Sequence, residues 1–77
     1  MSIKVRYFAS LKEFIGREQD ECQYQPEMTA QTIWDFVVPE KKIPLNTLVA
    51  INMQYENLEA TVADGDEVAF FPPVTGG

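Results

Sequence analysis

Ile3, Val5 and Tyr7 alternate with Lys4 and Arg6, the period-two pattern of a strand with one buried face. Ser10 followed three residues later by Glu13 predicts a capping box that opens a short helix. Leu11, Phe14 and Ile15 would share one face of that helix, and Gly16 suits its C-terminal stop. In the polar stretch 17–25, Cys22 and Tyr24 alternate with Glu21, Gln23 and Gln25, which predicts a half-exposed strand broken by Pro26. Thr29 can cap a second helix, in which Ala30, Ile33 and Val37 line up, Trp34 and Phe36 widen the apolar face, and Pro39 ends the run. Residues 39–47 carry two prolines and no period, and read as a loop. The continuous apolar run Leu48 to Met53 predicts a central strand covered on both faces. Asp64-Gly65 signals a turn, and Val68 to Phe71 form a last strand that Pro72 must terminate.

One main helix in a chain otherwise made of strands implies an α+β fold, with the helix laid across one face of a mixed sheet. At 77 residues the chain is expected to form a single domain. Twelve acidic against six basic residues give a net charge of -6, so a phosphate backbone would be repelled and nucleic acid is not an expected partner. A lone Cys22 and no histidine leave no internal disulfide and none of the usual zinc constellations, so no metal is expected. The same composition removes Ser-His and Cys-His nucleophile pairs. With no long apolar run, neither membrane nor signal peptide is expected, and a cytoplasmic location is.

The end of the sequence, FFPPVTGG, carries the candidate chemistry. Pro72-Pro73 fixes two successive φ angles and favours a stiff extended exit from the sheet. At about 3.3–3.6 Å per residue, Pro73 to Gly77 could reach about 17 Å beyond the domain. Gly76 and Gly77 add no side-chain width and could thread a narrow channel in another protein. The α-carboxylate of Gly77 would be the reactive group, attacking the α-phosphate of ATP to give an acyl-adenylate that sulfur converts to a thiocarboxylate. Lacking a phosphate loop of the GxxxxGK type, the chain is not expected to bind a cofactor alone or to be an enzyme by itself; a partner must hold the ATP.

LVAINM followed by DGDEVAFFPPVTGG, together with IKVRYFASLKEFIG at the other end, resembles the small subunits of molybdopterin synthase. The resemblance implies a ubiquitin-like β-grasp fold with the first and last strands adjacent and a projecting tail over residues 72–77. It further implies that an adenylyltransferase related to ubiquitin-activating enzymes, using ATP, adenylates Gly77, which then becomes a thiocarboxylate. The loaded tail would donate sulfur to cyclic pyranopterin monophosphate in the large subunit, within a heterotetramer of two small and two large subunits. On this resemblance Pro72, Pro73, Val74, Thr75 and Gly76 match the inserted tail, and Phe8, Lys12 and Phe71 match positions near the partner contact.

Phe8 and Phe71 equally suit core packing, and Lys12 suits a solvated helix face. Asp64, Asp66 and Glu67 read as a solvated turn, with steering toward a basic partner as the alternative. Cys22 reads as a strand residue rather than a reactive thiol. Two other functions share the Gly-Gly terminus: a sulfur carrier for thiamine thiazole, against which FFPP speaks, and a ubiquitin-like protein modifier. An interaction domain with an inert end is the remaining alternative.

Overall fold

The computed structural model describes residues 2–73. Five strands form one mixed sheet in the order β2-β1-β5-β3-β4: β1 (Ser2–Tyr7), β2 (Gln19–Gln23), β3 (Leu48–Ile51), β4 (Gln54–Glu56) and β5 (Glu67–Phe71). The first and last strands run parallel, with Val5 opposite Val68 and Tyr7 opposite Phe70. The remaining pairings are antiparallel. Because side chains alternate across a strand, Ile3, Val5, Tyr7, Val49, Val68 and Phe70 point to one face and are buried.

Helix α2 (Ala30–Val37) closes that face with Ala30, Ile33 and Trp34. Thr29 caps it as expected, its hydroxyl accepting from the Thr32 N–H, while the Thr32 hydroxyl accepts from the Thr29 N–H to complete a capping box. The buried Trp34 packs edge-on against Tyr7 and Phe70, and its indole N–H donates to the Lys41 carbonyl at 2.9 Å. Among the described residues, no buried side-chain nitrogen or oxygen lacks a partner. Phe36, expected on the apolar face, is 57% exposed. It lies two residues beyond Trp34, about 200° round the helix, so it cannot share Trp34's face.

Three local expectations need correction. Helix α1 (Ser10–Ile15) opens at Ala9 with no side-chain cap, because Phe8–Leu11 forms a turn, closed by the Leu11 N–H on the Phe8 carbonyl, that leaves Ser10 already inside the helix. Leu11 and Ile15, four apart, are buried, whereas Phe14 faces outward under the Lys41 ammonium. Gly16 does supply the left-handed stop, at φ 90°. The run 48–53 is not one strand covered on both faces. β3 ends at Ile51, Asn52 and Met53 turn the chain at positive φ, and β4 returns beside it. The sheet's central strand is β5, and among the described residues helical cover lies on one face only.

A polar clamp ties the sheet to the end of α2. Arg17 donates from Nε to Asp20 at 2.6 Å, from one terminal nitrogen to the Val37 carbonyl at 2.6 Å, and from the other to Glu40 at 3.3 Å. The Tyr7 hydroxyl donates to the same Asp20 oxygen at 2.7 Å. Burial, reinforced by that bond to Asp20, pushes the Tyr7 phenol well above its ordinary range.

Candidate functional site

The sheet's uncovered face has two halves. Over β2 and β1 it is polar, with Lys4, Arg6, Gln19 and Glu21 facing out. Over β5, β3 and β4 it is apolar: Phe8, Ala50, Met53, Tyr55, Ala69 and Phe71 line a depression of about 330 Å³, with Arg6 and Glu67 at its edge. The register explains the grouping, since Ala50 lies opposite both Ala69 and Tyr55, and Phe71 opposite Leu48. Two small residues at the centre leave the flanking aromatics unfilled space to border. Arg6 and Glu67 approach to 3.7 Å where the halves meet, an exposed pair worth little to stability.

Phe8 and Phe71 stack with ring centroids 4.8 Å apart and planes 7° apart, and Tyr55 meets Phe71 edge-on at 6.0 Å. The Phe8 N–H donates to the Phe70 carbonyl at 3.1 Å, tying the end of β1 to the end of β5. Phe8 is 38% exposed and Phe71 half-buried, so the stack lies on the surface at the root of the C-terminal segment. Lys12 is exposed nearby, 3.9 Å from Glu18, along a smaller depression shared with Arg6, Phe8 and Ala9. Pro72 and Pro73 follow β5 directly. Val74, Thr75, Gly76 and Gly77, where the candidate chemistry was expected, lie outside the described residues.

The acidic turn has structural work of its own. Asp66 accepts from the Ala63 N–H at 2.7 Å and from the Asn52 amide at 2.8 Å, and Gly65 supplies the positive φ. Cys22 is buried against the core, and burial, aided by Asp20 and Glu21, raises its thiol pKa, which suits a packing residue. The sequence patterns did not reveal Met53 and Tyr55. Their only signal was Asn52, a residue tolerant of positive φ, placed between two apolar segments.

A mixed sheet with parallel first and last strands, and one main helix across one face, defines the ubiquitin-like β-grasp class. The chain belongs to the ThiS family, whose profile matches residues 5–77. It is 36% identical to the molybdopterin synthase sulfur carrier subunit of Escherichia coli, over 97% of this chain and 99% of that one. It is 37% identical to the protein of the same name from Haemophilus influenzae, with the same coverage. Among solved structures it resembles SAMP1 from Haloferax volcanii, with a TM-score of 0.78, 26% identity and both chains covered fully. It also shares the fold of a chain in the complex of subunits 1 and 2 of the molybdopterin-converting factor from Helicobacter pylori, with a TM-score of 0.63, 24% identity and full coverage of both. Among the described residues, no helix is long and apolar enough to cross a membrane.

Proposed function

We propose that this chain is a sulfur carrier subunit of molybdopterin synthase. The observation that carries the reading is the match, at 36–37% identity and over nearly the whole of both chains, to two proteins bearing that name. The Gly77 carboxylate attacks the α-phosphorus of ATP on an adenylyltransferase and pyrophosphate leaves. A sulfur nucleophile then displaces AMP to leave a thiocarboxylate. The ATP is held by that enzyme and not by this chain.

The apolar half of the sheet, from Phe8 and Phe71 to Tyr55, supports a large-subunit partner, since an exposed apolar patch rimmed by polar residues is the form of a docking surface. In this reading Phe8, Lys12 and Phe71 make the contact at the tail's root, and Pro72 to Gly76 pass with Gly77 into the large subunit's site. That subunit supplies the catalytic residues for sulfur transfer to cyclic pyranopterin monophosphate, in an assembly of two small and two large subunits in the cytoplasm.

Incubation with activating enzyme, ATP and a sulfur donor is expected to add the mass of one oxygen-to-sulfur exchange at Gly77. An unchanged mass, under conditions that load the E. coli carrier, overturns the proposal. The likeness to SAMP1, a small archaeal modifier protein, favours a second use of the same activated carboxylate, isopeptide transfer to lysines. Lysine adducts carrying a Gly-Gly remnant would support that use, and sulfur transfer with no such adducts would exclude it.

A further inference from the structure

We propose that Met53 is a specificity-determining contact: an apolar knob, held at the far end of the sheet from the tail, that seats in the protein receiving the tail. This rests on the reading of the chain as a sulfur carrier and names a contact beyond the tail's root. Three observations carry it.

Met53 sits at φ 70°, directly after Asn52 at φ 52°. A two-residue hairpin turn with both φ values positive strongly prefers glycine at its second position, and a bulky side chain there is a true outlier. The fold therefore gains nothing from Met53 in backbone terms. It gains little from burial either, because the residue is 93% exposed.

The turn is nonetheless held firmly. The Asn52 N–H donates to the Glu67 carbonyl at 2.8 Å, the Asn52 side-chain oxygen accepts from the Glu67 N–H at 3.0 Å, and its amide donates to Asp66. These three bonds fasten the hairpin tip to the start of β5. A side chain presented from a fastened turn loses less backbone freedom on binding than one on a loose loop.

Met53 also borders the apolar depression that ends at Phe71. From Glu67, beside the tip, to Phe71, at the tail's root, β5 makes four steps of about 3.3 Å, about 13 Å in all. Phe8, Lys12 and Phe71 cluster at the tail's root, and a further contact this far along the sheet fixes the domain's orientation more firmly. Asp66 is engaged within the turn and Glu67 pairs with Arg6 beside the tip, so the receiving surface is an apolar notch.

The test is the affinity of the full chain for purified large synthase subunit, measured by calorimetry beside thermal unfolding. Met53→Gly removes the side chain and suits the turn, so its Tm should be no lower than that of the parent chain. Its Kd should rise about tenfold, the scale of one apolar side chain left unburied. Met53→Leu should bind within about threefold of the parent, because volume-conserving apolar exchanges cost little. Unchanged affinity for Met53→Gly overturns the proposal, as does a weaker affinity accompanied by a markedly lower Tm, which would place Met53 in the fold. If the parent chain itself fails to bind, the sulfur-carrier reading and this one fall together. If the parent binds and Met53→Gly matches it, only this one falls.

Discussion

Phe70 and Phe71 are neighbours with the same side chain and opposite fates. Phe70 points into the face that α2 covers and is fully buried, edge-on to Trp34 and stacked near Tyr7. Phe71 points out, stacked on Phe8 over the face opposite α2. The same five strands thus build a closed face, where apolar area is spent on folding, and an open one, whose apolar half remains available for association. Hydrophobicity alone does not tell the two apart; what does is whether an element packs on that side.

The largest expected effects test this contrast directly. Phe70→Ala should cost about 3–5 kcal/mol, the transfer loss plus a cavity in a packed core, and should appear in urea unfolding as a lower midpoint. Phe71→Ala should cost about 1 kcal/mol or less, chiefly the surface stack with Phe8, yet weaken association with the large subunit markedly. Equal stability losses in the two variants would break the distinction between the faces.

Tyr7 tests how the closed face is sealed. Its phenol has a folded pKa raised above the ordinary value near 10. In the folded state it therefore keeps its proton while the unfolded chain loses its own. The stabilisation is fully present below about pH 10 and is lost as pH climbs from there toward the folded pKa. Unfolding free energy should accordingly fall on the alkaline side of about pH 10. In Tyr7→Phe that part of the slope should disappear, with stability at neutral pH lowered by the lost bond to Asp20. Denaturant titrations at several pH values check both signs.

At the N-terminus of α2, Thr29→Ala removes the acceptor for the Thr32 N–H and should cost about 1 kcal/mol. For a domain of this size that is a Tm lower by about 4–8 °C. It should leave the open face, and therefore binding, unchanged.

How much of this was legible in the sequence follows from which interactions are local. Alternation at Ile3, Val5 and Tyr7, the cap at Thr29 and the stop at Gly16 are written in short patterns, and each appears where it was expected. The adjacency of β1 and β5 came from family resemblance, because a pairing between residues some sixty positions apart leaves no local mark. The hairpin after Ile51 leaves no such pattern, because Asn-Met is not the usual glycine-containing turn pair and β4 has only three residues, all exposed. The sequence does not decide between core and surface for Phe8 and Phe71, since only the register sets which side a strand residue takes. Aromatic residues at helical spacing suggest a core, yet Phe36 is exposed and Phe14 faces outward beneath Lys41.

The smallest expected effect has the opposite sign and concerns the junction of the two faces. Ala9 sits at φ 54°, ψ -132°, a conformation that glycine adopts freely and alanine at a cost. It lies between Phe8, which belongs to the open face, and α1, whose Leu11 and Ile15 belong to the closed one. Ala9→Gly relieves the strain but adds freedom to the unfolded chain, so stability should rise by no more than about 1 kcal/mol. If the turn's only task is to reverse the chain, binding to the large subunit should be unaffected. A stability gain combined with weaker binding would mean that the strained alanine also holds the Phe8 ring in place on Phe71. Chemical-shift changes at Phe8 and Phe71, confined to this variant, would locate the loosened contact.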